Sequence, residues 1–377
     1  MDFELTQSQK MLSKTDRDFL ERECPKALVR EMEIDDKGYS PQLERKMADL
    51  GWFGLVFPEE YGGSEGDFTD LLVLLEEMGQ ALLPSIFFPT VVLGGLPILE
   101  IGNEEQKQLF LPKIAKGEVN FTLALTEPDS GYSADSIRAD AIADKDGYVI
   151  NGVKLFVPYA HVADFIICAA RTEEKQMPHE GISLFIVDGK SSGLTCNVLE
   201  TIAMDKQSEV VFSNVRVTRE NLLGELHNGW AYVEKLLQKA TIALCAGMIG
   251  GAQKVLEMTV DYAKQRVQFG RPIGSLQIIQ SHCVDMLTLL EDSRLLTYEA
   301  GWMLSQGLSC AKEVSMAKAR ASEAYQTITA LGHEVHGGVG FAIEHDMNLY
   351  FRRAKSAETM FGDADFHRER VAEELGL

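Results

Sequence analysis

Tyr262-Ala-Lys-Gln-Arg266-Val-Gln268-Phe269-Gly270-Arg271-Pro272-Ile273 is the stretch from which the rest of the chain is read, together with His336-Gly337-Gly338-Val-Gly-Phe341. The first stretch sets a cation, Arg266, and an aromatic ring, Phe269, where helical spacing gives way to glycine and proline. The second sets a glycine pair ahead of the last helical segments, where backbone without Cβ lets a ligand approach closely. Arginine offers a permanent forked cation to a pyrophosphate, so the two stretches are suited to gripping a dinucleotide from outside.

Working back from Tyr262, the residues Val233, Leu237, Ala240, Leu244, Met248, Gly251, Val255 and Met258 step by threes and fours. They predict one apolar stripe on a very long helix. A second stripe runs through Ile279, Cys283, Met286 and Leu290, and a third through Ala317, Ala321, Ala324 and Ile328, which together predict a helix bundle. The glycines between Gly247 and Gly251 read as close helix packing rather than as a phosphate loop.

From about Asn120 the pattern changes to short apolar runs: Phe121 to Leu125, Tyr148 to Ile150, Phe165 to Ala170, Ile182 to Val187 and Val210 to Val215. Turn residues such as Asp146-Gly147 and Asp188-Gly189 separate them, which predicts antiparallel strands in a small barrel or sandwich. The first third reads as helices, with Thr6 as an N-cap and Leu71 to Met78 as a compact buried turn. Between them, Gly51 to Gly63 reads as a loop with apolar anchors. The expected fold class is α+β: an N-terminal helical domain (1–119), a middle antiparallel β-barrel or sandwich domain (120–225) and a C-terminal four-helix-bundle-like domain (226–377).

With 377 residues, 45% of them hydrophobic, the chain is long enough for several packed layers or domains. A formal net charge of −21 disfavours a non-specific grip on nucleic acid or anionic membrane, so an anionic ligand has to meet a local basic patch. The six cysteines, Cys24, Cys168, Cys196, Cys245, Cys283 and Cys310, form no C-x-x-C pair, which argues against a disulfide framework or zinc site. The start, Met1-Asp-Phe-Glu-Leu5, is acidic without an apolar run, so no secretory signal or membrane span is expected and the expected location is cytoplasmic. Glu344-His345-Asp346 has metal-ligand residue types, but adjacent helical positions point apart, so a polar cluster and no metal is expected. His333 and His336 read as structural.

The quoted segments resemble the acyl-CoA dehydrogenase family of FAD flavoproteins, over nearly the whole chain and in the family's order of helices, strands and helices. Gly51 to Gly63 resembles its first-domain signature. The resemblance implies that Arg266, Gln268, Phe269 and Gln277 reach across a subunit interface to a neighbour's FAD, with Gly337 and Gly338 along its pyrophosphate and adenosine. Glu334 stands where the family commonly has glutamine, and a carboxylate is a poorer neighbour for an anionic cofactor. Leu125-Thr126-Glu-Pro-Asp-Ser-Gly131-Tyr132 resembles the family's T-E-P-x-x-G-S motif, which implies cofactor contacts from Leu125, Thr126, Gly131 and Tyr132, the last in place of serine. Lys154-Leu-Phe156-Val-Pro158-Tyr159 resembles the segment lying on the flavin, with Phe156 where tryptophan is common. Pro158 replaces a hydroxyl residue that usually donates toward flavin N5.

Flavin dehydrogenation of a thioester needs a base for the α-proton, an acceptor for the β-hydride and donors for the carbonyl. Counting on from Arg352-Arg-Ala-Lys355 puts Phe361, followed by Gly362, where many members carry the catalytic glutamate. Counting back from Gly250-Gly-Ala-Gln253 puts Ala240 at the second known position. Neither accepts a proton, and Gln238 and Thr241 stand where an aspartate and an arginine often contact the acyl-CoA. Asp363 is the nearest carboxyl group: a displaced base, a helix cap or a partner for Arg368. The catalytic residue is therefore unassigned.

Two readings follow from the resemblance. In one, the chain is the degenerate subunit of a hetero-oligomer whose paralogous sister carries the base and the flavin-ring contacts, because what persists here is mainly the set that acts on a neighbour. In the other, it is a self-sufficient homo-oligomeric acyl-CoA dehydrogenase with a displaced base. A flavin oxidase of the same fold also needs a carboxylate and gains no support. Both principal readings imply α,β-dehydrogenation of an acyl-CoA substrate, with electrons leaving FAD for a carrier such as an electron-transferring flavoprotein.

Overall fold

The computed structural model describes residues 4–129, 131–173 and 177–377; Met1–Phe3 of the acidic start and Ser130 of the Leu125–Tyr132 motif lie outside the described residues. Helices α1 (Gln7–Glu23), α2 (Lys26–Ile34), α3 (Pro41–Asp49), α4 (Phe68–Ala81), α5 (Leu96–Ile101) and α6 (Glu104–Ala115) come first. Strands β1 (Phe121–Ala124), β2 (Asp140–Asp144), β3 (Gly147–Pro158), β4 (Phe165–Arg171), β5 (Ile182–Asp188), β6 (Leu194–Leu199), β7 (Gln207–Thr218) and β8 (Leu222–Leu223) follow. After α7 (Trp230–Gln265) come a hairpin of β9 (Val267–Gln268) and β10 (Arg271–Pro272), then α8 (Gln277–Ser305), α9 (Ala311–His336), α10 (Asp346–Thr359) and α11 (Ala364–Glu374). The expected α+β order of helices, sheet and helices is the one observed.

The chain divides into two compact units. The first holds Met1–Arg30, Asp67–Leu83 and Thr241–Leu377, and the second Glu31–Gly66 and Pro84–Ala240. In the first unit, Thr6 starts α1 through a capping box, its hydroxyl accepting from Gln9 N at 3.2 Å while the Gln9 side-chain Oε1 accepts from Thr6 N at 3.1 Å. Leu71–Met78 is the middle of α4 rather than a separate turn, because the Asp67 cap starts a helix that its run of Leu, Val, Glu and Met sustains. The expected single stripe on α7 is also corrected. Ile242, Ala243, Cys245, Ala246 and Ile249 are as buried as Ala240, Met248 and Val255, whereas Leu237, Leu244, Met258 and Tyr262 are half-buried. Small residues permit this packing on all sides. A Cβ on Gly250 would stand 1.8 Å from the Glu76 carbonyl oxygen, and one on Gly79 2.0 Å from that of Gly247, so α4 and α7 touch backbone to backbone. The α9 stripe of Ala317, Ala321, Ala324 and Ile328 is fully buried, while on α8 only Met286 and Leu290 of the four are.

In the second unit the strands form one sheet in the order β6-β7-β3-β2-β4-β5-β8, with β1 added on β4. Every strand sends apolar side chains to one shared cluster that includes Ile150, Val157, Cys168, Phe185, Val210 and Phe212, so the sheet wraps around its own core. The pairs β2–β3, β3–β7, β4–β5, β5–β8 and β6–β7 are antiparallel as expected, but β1 and β2 pair with β4 in parallel. The β2–β3 hairpin lies between β1 and β4 and supplies the long connection that parallel pairing needs. All six cysteines are free thiols, with Cys196 and Cys283 half-buried and the other four buried. Among the described residues no helix is long and apolar enough to cross a membrane.

Candidate cofactor and active site

At the end of α7 the chain reverses through Phe269 and Gly270, which hold left-handed φ of 53° and 74°, and Ile273 N donates to Arg266 O at 2.8 Å. Two consecutive left-handed residues match the right-handed twist of a tight hairpin, and glycine in second place makes that inexpensive. Residues 264–272 are all exposed, Phe269 to 88%, and Arg266 makes no ion pair among the described residues. Tyr262 stacks on His336 with ring centroids 4.4 Å apart, and Ala263, Ile273 and Val335 form a small buried cluster. That packing brings the hairpin to the C-terminal end of α9. There Gly337, at φ 63°, and Gly338 have open space wherever a Cβ would lie. Burial lowers the His336 pKa, and its Nδ1–H donates to Gly332 O at 2.8 Å, so a neutral ring supports Tyr262. Gln277 opens α8 and is exposed, as is Glu334, whose carboxylate lies 3.6 Å from His282. Two distant stretches of sequence thus converge in one exposed region of the first unit. Its unpaired guanidinium and open glycine turn fit a diphosphate.

The second group lies in the second unit. Leu125 and Thr126 continue from β1 and are half-buried, and Leu155 N donates to Thr126 O at 2.8 Å, joining this segment to β3. Phe156 sits on a bulge: between the pairs Lys154–Val210 and Val157–Ser208, Leu155 and Phe156 oppose Glu209 alone. Its φ is 55° and it is 54% exposed. Gly131 and Tyr132 lie in an exposed loop, where Gly131 N donates to Ser136 Oγ at 2.9 Å. The Pro158 carbonyl accepts from the Thr122 hydroxyl at 2.7 Å.

Beneath this edge lies a pair that the motif reading passed over. Lys154 Nζ donates to Glu127 Oε1 at 2.6 Å and to Leu125 O at 3.2 Å, while Glu127 accepts from Arg138 N and Ala139 N at 2.9 and 3.0 Å. Both side chains are buried. The available signal was phase: Lys154 shares the inward face of β3 with Ile150, and an inward lysine requires a partner.

The two base positions behave differently from a carboxylate site. Ala240 is buried in α7. Phe361 and Gly362 form a turn at left-handed φ of 61° and 105°, and Asp363 Oδ1 accepts from Phe366 N at 2.9 Å, capping α11. Arg368 pairs with Glu323 and Asp365 rather than with Asp363. The turn is clamped from below. Lys318 Nζ donates to the carbonyls of Glu358 and Gly362, each at 2.8 Å, and His367 Nε2 lies 3.1 Å from Phe361 O. Burial and then the Lys318 charge push His367 down to about 4, so the ring is neutral and donates to that carbonyl. His345 caps α10, Asp346 pairs with Arg30 at 2.8 Å, and among the described residues no group of three His, Cys, Asp or Glu could hold a metal.

Family models for the N-terminal, middle and C-terminal domains of acyl-CoA dehydrogenase match residues 6–118, 122–215 and 227–376. Acyl-CoA dehydrogenase from Bacillus subtilis (strain 168) is 36% identical, with 98% of each chain covered. Butyryl-CoA dehydrogenase from Megasphaera elsdenii shares the fold with a TM-score of 0.93 and 30% identity over 100% of both chains. A chain of the ChsE4–ChsE5 complex from Mycobacterium tuberculosis gives a TM-score of 0.91 and 25% identity, covering 100% of this chain and 99% of that one. The chain belongs to the acyl-CoA dehydrogenase family, whose members are FAD-dependent oxidoreductases acting on a CH–CH bond of acyl-CoA thioesters.

Proposed function

We propose that this chain is a component of an FAD-dependent acyl-CoA α,β-dehydrogenase, working as the degenerate subunit beside a paralogous chain that carries the base. The observation that carries this reading lies within the first unit. Arg266 and the Gly337–Gly338 turn stand open toward a ligand, while the turn at Phe361 is rigidly clamped yet bears no proton acceptor. A segment that acts on a neighbour has no use in a monomer, so an oligomer is required. Arg266, Gln268, Phe269, Gln277, Gly337 and Gly338 would hold the nucleotide end of a neighbour's FAD, with Glu334 turned toward His282. Leu125, Thr126, Gly131, Tyr132 and Phe156 would face a flavin of this chain's own.

Bound FAD supplies the acceptor for a hydride from the β-carbon. The α-proton then needs a carboxylate that Phe361 and Ala240 do not provide. A displaced base at Asp363 fits less well, because that carboxylate is committed to capping α11. Electrons would pass to an external carrier such as an electron-transferring flavoprotein. The matched spans also support placing the domain limits at 1–119, 120–225 and 226–377.

Purified with its paralogue, the chain is expected to hold FAD that an acyl-CoA bleaches under anaerobic conditions. Purified alone, it is expected to show no bleaching. Visible flavin absorbance before and after adding the thioester decides the matter, and full bleaching by the chain alone would establish the self-sufficient enzyme instead.

A further inference from the structure

We infer that the buried Glu127–Lys154 pair is a positioning device for a flavin-contact edge that this chain keeps for its own use, an inference that rests on the reading above and deepens it. Both charges lie out of water, and a buried ion pair gains little stability over a well-packed apolar pair, so its retention points to the arrangement it enforces.

That arrangement is specific. Lys154 on β3 reaches Glu127 and the Leu125 carbonyl, and Glu127 in turn accepts from the backbone N–H groups of Arg138 and Ala139 ahead of β2. Three separate segments are thereby fastened at one point. Immediately beyond Lys154, β3 bulges and Phe156 turns outward in a left-handed conformation that is unfavourable for a bulky side chain. Core packing does not explain this, because the ring is more than half exposed. The Leu155 N–H bond to Thr126 O ties the Thr126 segment to β3 one residue ahead of Phe156. An exposed aromatic face on a strand tied to the Thr126 segment, held by a strained bulge over a rigid buried pair, is suited to a planar heteroaromatic ring with a polar edge.

A subunit that only served its neighbour would have no need of this edge, so the pair acts on a flavin of this chain's own. Two variants separate the two half-sites, measured on the purified assembly by flavin per chain, FAD titration, the visible flavin spectrum and the unfolding temperature. Glu127→Gln with Lys154→Met removes both charges together, which leaves no unpaired buried charge. It is expected to keep the unfolding temperature and assembly mass, weaken this chain's FAD roughly tenfold, as one lost buried contact would, and shift the flavin spectrum. Should the double variant fail to fold, Glu127→Asp keeps the charge, retracts it by one methylene and is read in the same way. Wild-type FAD affinity and spectrum in the folded variant would overturn the inference. Loss of FAD in Arg266→Ala alongside that result would confine the failure to this inference. A wild-type assembly that binds no FAD would overturn both it and the reading beneath it.

Discussion

Lys318→Met is expected to destabilise the first unit by roughly 4 kcal/mol, because it strands several backbone acceptors at once. Lys318 is completely buried in α9, and its ammonium donates to Ala357 O at 3.2 Å, to Glu358 O and Gly362 O at 2.8 Å and to Ser322 Oγ at 3.0 Å. The carbonyls of Ala357 and Glu358 lie in the last turn of α10, where no intrahelical N–H reaches them and the helix dipole favours a cation. Methionine fills the volume but satisfies none of these oxygens. Burial pushes the Lys318 pKa down from 10.5 to about 8. Between those values the unfolded chain holds a proton that the folded chain has shed, so this group makes stability rise with pH there, and its cost is full below pH 8. Thermal unfolding near pH 7, with amide exchange over residues 355–367, checks the expectation. An unchanged melting temperature and unchanged protection of the Phe361 turn would mean that Lys318 does not hold it.

Glu44→Gln should have the opposite sign. Glu44 is buried in α3, its Oε1 accepts from Ile86 N at 3.3 Å, and its Oε2 has no partner among the described residues. Burial pushes the carboxyl up from 4.5 to about 8, against hydrogen bonds from the Ser85 hydroxyl and Ile86 N–H. The folded chain therefore keeps a proton that the unfolded chain loses between those values. Stability from this group is fully present below pH 4.5 and declines through the window by about 1.4 kcal/mol per pH unit. Glutamine carries no titrating proton. The variant is expected to gain about 2 kcal/mol at pH 7, allowing for its own unpaired amide N–H, and to lose about 1 kcal/mol at pH 4, where only that unpaired N–H counts. Unfolding measured at pH 4, 6 and 8 reads this slope, and a variant that tracks the wild type across all three would refute it.

What was legible in the sequence was the part written in side-chain type. The order of helices, sheet and helices follows from periodicity, and the end of α7 beside Arg266 from the glycine and proline that follow it, whereas the hairpin itself, with Phe269 in a left-handed conformation, left no signal. Strand direction was not legible, because alternation reads the same in either sense, and so the parallel placement of β1 and β2 on β4 was missed. The all-round burial of α7 depends on glycines in two helices meeting, and only the α7 half was recognised. Lys318 left no trace, since its partners are mostly carbonyls, which every residue possesses. Asp363 was open to three roles, and only its bond from Phe366 N selects the cap. The Glu127–Lys154 pair is visible in principle, as an inward-phase lysine, but in a motif reading Thr126 and Phe156 beside it carry the signal.

The central claim is that this chain grips the nucleotide end of an FAD belonging to a neighbour. Native mass measurement of the assembly with flavin counted per chain, wild type against Arg266→Ala, tests it most directly. Arg266 is exposed and outside every ion pair among the described residues, so the variant should assemble to the same mass while its flavin count falls. An intact assembly that keeps the full wild-type complement of FAD would contradict the account.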